Sequence, residues 1–273
     1  MGKQSRARTA TRTRLAEVRA AQAQQERRRR LVIAVGAICA VLVIAGGLVV
    51  LRAAGVGGQS SSGSPATAAS PQVVSAVSNV PPSVLDSIGA SDAKTLPRSI
   101  QAPALTADGK PRVLYVGAEY CPYCAAQRWA MAVALSRFGS WSGLGQTHSS
   151  SSDVFPNTPT LSFHGAHYTS RYLSFTGYET TTNKLEGNHY QALDTLSPAD
   201  QKIFETYDQP PYTDGSGGIP FLDIGGSYVL SGASFSPQVL SGMTQEQVAA
   251  ALSDPASPVA KAVDGAANAL TAA

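Results

Sequence analysis

The sequence predicts an α/β domain that one transmembrane helix anchors to a membrane, and three observations support this fold class. Residues 31–51 form a run of 21 residues without a charge. The apolar, β-branched run RVLYVG at 112–117 is typical of a buried strand, and it leads through the motif CPYC at 121–124 into a pattern of helical period. Farther along, residues 217–230 are predicted to form strand, Gly-Gly turn and strand, with a helical pattern after them.

The uncharged run is long enough to cross a bilayer, since about 20 helical residues span the hydrocarbon core. The preceding residues 1–30 hold ten Lys or Arg against two Glu. Basic residues stay on the cytoplasmic side of a first span, so a cytoplasmic N-terminal tail and an extracytoplasmic C-terminal domain are expected. A cleaved signal peptide is the alternative, but its apolar region is typically about 7 to 15 residues long. No clear cleavage site follows Arg52, so an uncleaved single-pass anchor in the cell membrane is expected.

Residues 52–72 are predicted to be a flexible linker, because they are mostly Gly, Ser, Ala and Pro. Residues 73–273 are then one extracytoplasmic domain. Residues 53–273 hold ten basic and sixteen acidic residues, a net charge of −6. The basic character of the chain therefore belongs to its N-terminal tail, and the exported part is not expected to bind nucleic acid.

The two cysteines of the CPYC motif lie where a strand gives way to a helix. The N-terminal amides and dipole of that helix would stabilise a Cys121 thiolate, which predicts Cys121 as the nucleophile. Cys124 lies one turn farther on and could resolve a mixed disulfide. Pro122 suits a first helical turn because its missing N–H has no helical partner. The helix is expected to end at Gly139.

The cysteine pair has two other interpretations. A structural zinc site normally takes four ligands, and this motif supplies two. His164 and His167 would have to complete it, but they lie in a predicted strand or loop, so no metal is expected. An inert disulfide is the stronger alternative, because exported cysteines often oxidise for stability. A bridge that encloses only two residues constrains little chain entropy, which favours reversible chemistry.

Charged residues near the motif are candidates for tuning its thiolate. Glu119 and Arg128 lie within about two turns of the cysteines, although solvated surface charge is the default expectation for each. Trp129 is expected in the core. The last helix carries an apolar stripe that is predicted to pack on the domain, formed by Val259, Val263, Ala266 and Leu270.

The distal hairpin begins at Pro220, a position that a proline tolerates at the start of a strand. If the bond between Ile219 and Pro220 is cis, the backbone of Ile219 is expected beside the cysteines, where it would pair with a substrate chain. A helix from 244 to 252 is predicted to follow.

An insertion is predicted at about 140–195, in a region rich in Ser, Thr, Tyr and His. Leu144 to Ser150 is a candidate for the second central strand. Pro159 to Phe163 and Tyr172 to Tyr178 are candidates for an extra hairpin or a lid over the cysteines. Ser197 followed by Pro198 predicts a helix start, with the helix running to about residue 207.

Together these features resemble the thioredoxin fold over residues 112–252. The lead-in AEYC resembles the thioredoxin AEWC, and the Pro-Tyr pair resembles that of glutaredoxins. More narrowly, the stretches GKPRVLYVGAEYCPYCAAQRW, PNTPTLSF and YTSRYLSF resemble an uncharacterised family of membrane-anchored prokaryotic proteins with a domain of unknown function. Thioredoxins carry a buried acidic residue in the strand before the motif, whereas the matching residue here is Tyr115.

The resemblance implies a role for each site residue. Cys121 would be the attacking thiol, Cys124 the resolving thiol and Pro220 the cis-proline, while Pro122, Tyr123 and Ile219 would contact substrate. The implied activity is thiol–disulfide exchange on the thiols or disulfides of exported proteins, without a cofactor and with recycling by a membrane redox partner. By resemblance, the Pro-Tyr pair between the cysteines favours an oxidising or isomerising role. The alternative is a non-catalytic binding or scaffold domain with a static disulfide, and solvent access to Cys121 is the feature that separates the two.

Overall fold

The computed structural model describes residues 66–90 and 93–273, which form a mixed α/β arrangement with several sheets and six helices. The predicted cytoplasmic tail, the transmembrane helix at 31–51 and most of the predicted linker lie outside these residues. Within the described part of the chain, none of the helices has the length and apolar character needed to span a bilayer. The end of the predicted linker is ordered, because a short strand and the start of a helix already lie within residues 66–72.

The helices are α1 (Pro71–Ser78), α2 (Pro82–Ile88), α3 (Pro122–Ser136), α4 (Pro198–Tyr207), α5 (Gln245–Ala251) and α6 (Pro258–Ala272), with a 3-10 helix at Pro237–Leu240. The strands are β1 (Thr67–Ala68), β2 (Arg98–Ser99), β3 (Thr106–Ala107), β4 (Lys110–Gly117), β5 (Gly139–Ser142), β6 (Gly145–His148), β7 (Pro159–Ser162), β8 (His167–Ser170), β9 (Ser174–Glu179), β10 (Thr181–Glu186), β11 (His189–Ala192), β12 (Phe221–Ile224) and β13 (Tyr228–Ser231).

Strand β4 is the centre of the largest sheet. It pairs in parallel with β9 on one side and antiparallel with β12 on the other. Strands β13 and then β2 extend the sheet beyond β12, and β3 pairs with the first residues of β4. The strand that leads into the CPYC motif therefore lies between its parallel neighbour and the distal hairpin.

Successive side chains of β4 point to opposite faces of the sheet, and helices pack against both faces. Val113 and Tyr115 join the larger core, which includes residues of α3 and α6. Leu114 and Val116 join a smaller core, against which residues of α4 pack. Full burial of one such aliphatic side chain contributes about 1.5–3 kcal/mol relative to leaving it exposed. The predicted apolar stripe of the last helix is confirmed, since all four of its residues are buried in α6.

Most of the locally encoded elements form where they were predicted. Ser197 caps α4 by accepting a hydrogen bond from the amide of Asp200. Thr244 caps α5 in a reciprocal capping box with Gln247. The turn between β12 and β13 has positive φ at Gly225 and Gly226, and a Cβ at Gly226 would lie 2.3 Å from the carbonyl oxygen of Pro103. The helix after the CPYC motif ends at Ser136, three residues before the predicted end.

The second central strand is β9, and the prediction of Leu144 to Ser150 for this role is wrong. The latter segment contributes β6, which pairs with β1 and β7 in a separate three-stranded sheet. Residues 172–178, predicted as part of a hairpin or lid, instead overlap β9. The sequence did not indicate a central strand at β9 because, among the described strands, β9 pairs only with β4 and is half-buried. Its sequence SFTGYE therefore lacks the apolar run that is typical of a strand covered on both faces.

Candidate dithiol site

The CPYC motif lies at the end of β4, where the chain turns into α3. Cys121 is the N-cap residue of α3, and its Sγ accepts a hydrogen bond from the backbone N–H of Cys124 at 3.3 Å. Both residues are free cysteines in this structure. Cys121 retains 5% of its exposure, whereas Cys124 is completely buried. The helix start thus makes the two thiols unequal.

The pKa values of the two thiols are shifted in opposite directions. A hydrogen bond from the Cys124 side chain holds the pKa of Cys121 below its usual value, against the opposing effect of burial. Amide hydrogen bonds from Cys124 and Tyr123 and the positive charge of Arg128 act in the same direction. Burial raises the pKa of Cys124 well above its usual value, and its interaction with Cys121 adds to this. Cys121 is therefore the better-ionised thiol.

The distal hairpin brings its first residues to the motif. The peptide bond between Ile219 and Pro220 is cis. The Cys121 thiol lies 3.8 Å from the carbonyl oxygen of Ile219, a distance at which the S–H donates a weak hydrogen bond. The structure thus brings the cysteine pair, Cys121 and Cys124, together with Ile219 and Pro220. Cys121 and Ile219, which are in contact, are 98 residues apart in the sequence.

Behind the cysteines lies a buried ion pair between Arg128 and Glu179. Arg128 Nε donates to Glu179 Oε1 at 2.7 Å, and Nη2 donates to Oε2 at 2.5 Å. Nη2 also donates to the carbonyl oxygen of Ala118 at 2.6 Å, and Nη1 to Thr160 Oγ1 at 3.2 Å. Arg128 therefore ties α3 both to the end of β9 and to the turn that carries the motif. The default expectation of a solvated Arg128 is wrong, because strand β9 supplies a carboxylate that compensates its burial.

Glu119 is also buried, so the default surface expectation is wrong for this residue too. Its Oε1 accepts a hydrogen bond from Ser162 Oγ at 2.6 Å, and its amide donates to the carbonyl oxygen of Thr181 at 2.9 Å. Burial raises the pKa of Glu179, and the negative charge of Glu119 contributes to the same shift, while Arg128 opposes it. The site therefore buries two carboxyl groups, of which Glu179 is paired with the Arg128 guanidinium and Glu119 with the Ser162 hydroxyl.

Tyr115 occupies the position at which the thioredoxin resemblance leads one to expect an acid. Its hydroxyl is buried and has no hydrogen-bond partner among the described residues. Burial raises the pKa of Tyr115 well above its usual value, so the phenol stays protonated at neutral pH. The negative charge near the cysteines comes instead from Glu179 on the adjacent strand, which contributes to raising the pKa of Cys124.

Two aromatic pairs flank the motif on its outer side. The ring of Tyr120 stacks on that of Tyr190 with centroids 4.1 Å apart. The ring of Tyr123 meets that of Phe155 edge to face at 5.7 Å. Pro122, which lies between Tyr120 and Tyr123 in the sequence, is buried, whereas Tyr123 is exposed. Sequence reasoning did not single out Glu179, Phe155 or Tyr190, because each reaches the motif through tertiary packing and carries no local signal.

His164 and His167, the two histidines that a zinc site would need, do not form a metal-binding group with the cysteines. His164 Nδ1 lies 2.7 Å from Asp194 Oδ1, and His167 is exposed in β8. Over residues 66–90 and 93–273, no three Cys, His, Asp or Glu residues are arranged so that they could hold a metal ion.

Comparison with known proteins gives one finding. The family model described as a domain of unknown function (DUF929) matches residues 98–273, which is more than half of the chain and includes every residue of the dithiol site. No curated protein and no solved structure matches the chain.

Proposed function

This chain belongs to the DUF929 family, and we propose that it is a thioredoxin-like thiol–disulfide oxidoreductase. The observation that carries the proposal is the inequality of the two thiols. Cys121 caps a helix, has a lowered pKa and lies beside the backbone of Ile219, while Cys124 is sealed one turn behind it with a raised pKa. Thiol–disulfide exchange needs one thiol that is both a good nucleophile and a good leaving group, and a second thiol that attacks only the mixed disulfide formed by the first. The opposite pKa shifts of Cys121 and Cys124 suit them to these two roles.

The order of elements around β4 supports the thioredoxin-like fold. Strand β4, helix α3, parallel strand β9, helix α4, the antiparallel hairpin of β12 and β13, and then helices α5 and α6 follow one another along the chain. Up to α5 this is the succession that the sequence resemblance implies. Three smaller sheets are added to it, and their strands apart from β1 lie between α3 and α4. Fold resemblance alone does not determine a reaction, and the properties of the two cysteines are what support the proposed chemistry.

The first step is attack by the Cys121 thiolate on a substrate disulfide. A bond forms between Cys121 Sγ and one substrate sulfur, the substrate S–S bond breaks, and the other substrate sulfur leaves as a thiolate that takes a proton from water. Cys124 then loses its proton and attacks Cys121 Sγ, which releases the second substrate thiol. Two electrons have moved from the dithiol to the substrate, and the Cys121–Cys124 disulfide remains.

The resolving step needs a base, because burial raises the pKa of Cys124. Glu179 is the buried carboxylate that interacts electrostatically with this thiol, and its own raised pKa suits it to take the proton. Arg128 holds the Glu179 carboxylate through both oxygens and so fixes its orientation. The buried ion pair thereby substitutes for an acid at position 115.

The reaction also runs in reverse, with the Cys121–Cys124 disulfide accepting two electrons from a substrate dithiol. The direction depends on the reduction potential of the pair and on the membrane redox partner that recycles it. With the predicted anchor at residues 31–51, the domain would act outside the cytoplasm, where cysteines of exported proteins form disulfides.

Cysteine substitutions in the full-length protein in detergent test the proposal. Cys121→Ser is expected to reduce exchange with a disulfide-linked fluorescent peptide to the uncatalysed rate. Cys124→Ser is expected to accumulate a mixed disulfide between Cys121 and the peptide, which mass spectrometry would detect. Cys39→Ser, which changes the third cysteine of the chain, serves as the control and should retain wild-type exchange. Retention of exchange by Cys121→Ser would rule out the assigned nucleophile.

The low exposure of Cys121 favours one second candidate, a binding or scaffold domain whose disulfide is static. In that case a small alkylating reagent would leave Cys121 unmodified under native conditions at pH 7. The proposed oxidoreductase instead requires that Cys121 react rapidly and Cys124 only after unfolding.

A further inference from the structure

The outer side of the dithiol site is bordered by aromatic and aliphatic side chains that the proposed chemistry does not use. We call this set the aromatic rim, and it consists of Tyr120, Tyr123, Phe155, Leu185 and Tyr190. Among the described residues, five large hydrophobic side chains are exposed, and Tyr123 and Leu185 of the rim are two of them. A third, Val154, directly precedes Phe155. Three of the five exposed large hydrophobic side chains of the described residues thus belong to the rim or adjoin it in the sequence.

One half of the rim comes from the hairpin of β10 and β11. Tyr190 stacks on Tyr120, the residue that precedes Cys121, and its hydroxyl donates to Ser150 Oγ at 2.7 Å. Leu185 pairs directly with Tyr190 across the hairpin, so the two side chains lie on the same face. The main chain fixes this hairpin at its base, because the amide of Glu119 donates to the carbonyl oxygen of Thr181 at 2.9 Å.

The other half comes from the loop between β6 and β7. The Ser150 amide donates to the carbonyl oxygen of Tyr120 at 2.8 Å, which holds this loop against the motif. Phe155 then packs its ring against Tyr123, the residue that follows Pro122. The loop therefore contacts the motif region at Tyr120 and Tyr123, whereas the hairpin contacts it at Tyr120 and is hydrogen-bonded to the loop through Ser150.

The chemistry of exchange determines what contacts the rim. A substrate sulfur has to come within bonding distance of Cys121 Sγ, so the residues on either side of the substrate cysteine are pressed onto the surface around that sulfur. Aromatic faces and aliphatic side chains gain most from apolar partners that they remove from water. Charged or small polar neighbours would gain no comparable contact.

We propose that the aromatic rim selects substrates in which the reacting cysteine lies in an extended segment with aromatic or aliphatic neighbours. This inference rests on the proposed oxidoreductase function and adds a substrate class to it. The occupant is a segment of an unfolded or locally exposed protein chain, since such neighbours are buried in a folded protein.

The test compares two peptide disulfides that are identical except that Phe or Ser flanks the cysteine. The full-length protein in detergent is expected to react about tenfold faster, in kcat/KM, with the Phe peptide than with the Ser peptide. Leu185→Ser and Phe155→Ala should each reduce this ratio at least about threefold. The ratio of the two kcat/KM values measures selectivity, and it stays the same when a substitution changes the reactivity toward both peptides equally.

Matched controls are provided by exposed side chains outside the rim. Leu96→Ser and Tyr172→Ala remove a leucine that is 57% exposed and a tyrosine that is 64% exposed. Both should keep the wild-type ratio, and far-UV circular dichroism would verify that all four variants are folded. A wild-type ratio near one, or an equal fall of the ratio in rim and control variants, would overturn the rim proposal.

Exchange with a small disulfide, hydroxyethyl disulfide, separates this inference from the function on which it rests. Absence of exchange by the wild-type protein with both the small disulfide and the peptides would overturn the oxidoreductase proposal itself. Exchange with all three disulfides at rates that ignore the flanking residues would overturn only the rim proposal.

Discussion

Behind the dithiol, Glu179 is fully buried and faces Arg128, which holds both of its carboxylate oxygens. In α6, Asp264 is buried to the same degree, yet neither of its carboxylate oxygens has a hydrogen-bond partner within residues 66–90 and 93–273. Burial alone raises the pKa of Asp264 to about 7. The same physical cost, removal of a carboxyl group from water, is thus offset by a partner in one region and by protonation in the other.

The contrast between Glu179 and Asp264 shows that a buried carboxyl group is paired at the dithiol site and unpaired in α6. The ion pair of the dithiol site links α3, β9 and the turn before Cys121, and each of these segments has a part in the proposed chemistry. Among the described residues, none supplies a hydrogen-bond donor or a cation to Asp264, so its charge has no comparable structural use there. The two regions should therefore respond in opposite ways when the buried charge is removed.

The largest expected effect comes from breaking the ion pair on one side. Arg128→Met leaves Glu179 buried and uncompensated, so the free energy of unfolding should fall by about 3–5 kcal/mol. Urea denaturation monitored by circular dichroism would measure this. Removal of both charges in Arg128→Met/Glu179→Leu should cost clearly less than the single change, because no unpaired charge remains. A double variant that is as unstable as the single one would contradict the assigned pairing.

Asp264 should make the stability of the domain depend on pH. Its folded pKa of about 7 lies above the ordinary value of 3.8 that applies to the unfolded chain. The stabilising effect of the neutral Asp264 is therefore fully present below about pH 4 and is lost as the pH rises from about 4 to about 7, by up to about 4 kcal/mol. Asp264→Asn should remove this loss, so that the variant is more stable than the wild type at pH 8 and similar to it at pH 4.

Thermal unfolding at several pH values would check the Asp264 prediction. Asp86→Asn serves as its control, since Asp86 is an exposed aspartate of α2. It should leave the pH profile of the wild type unchanged. If the curves of Asp264→Asn and the wild type ran parallel from pH 4 to pH 8, the buried carboxyl group would not be the origin of the effect.

A smaller effect is expected from single hydroxyl groups. Tyr115→Phe removes a buried hydroxyl that lacks a hydrogen-bond partner in the described part of the chain, so it should stabilise the domain by about 1 kcal/mol. Tyr168→Phe is the matched comparison, because the Tyr168 hydroxyl donates to the carbonyl oxygen of Leu135 at 2.8 Å. That change should destabilise the domain by about 1 kcal/mol. Denaturation curves that shift in the same direction for both variants would contradict the account of Tyr115.

Local signals explain what the sequence made predictable. The apolar run of β4, the Ser-Pro start of α4 and the Gly-Gly turn between β12 and β13 each act through neighbouring residues, and all three form as predicted. The position of Cys121 at a helix start followed from the same kind of signal. The meeting of the motif with Ile219 was expected only conditionally, on a cis bond before Pro220, and the structure has that bond.

Long-range pairing explains what was not predictable. Glu179 lies 51 residues after Arg128 and is the last residue of a half-buried strand without an apolar run, so nothing local linked the two. Both Glu119 and Arg128 had the composition of surface charges, and only the partners that tertiary packing supplies allow their burial. The same holds for Phe155 and Tyr190, which reach the motif from a loop and a hairpin inside the predicted insertion.

The reduction potential of the Cys121–Cys124 pair tests the central claim most directly. Equilibration of the full-length protein in detergent with glutathione buffers of known ratio would measure it. The account predicts a potential between about −120 and −270 mV, with about −120 to −200 mV indicating an oxidase or isomerase and values near −270 mV a reductase. A potential below about −300 mV, in the range of structural disulfides, would contradict the oxidoreductase and favour a static bridge.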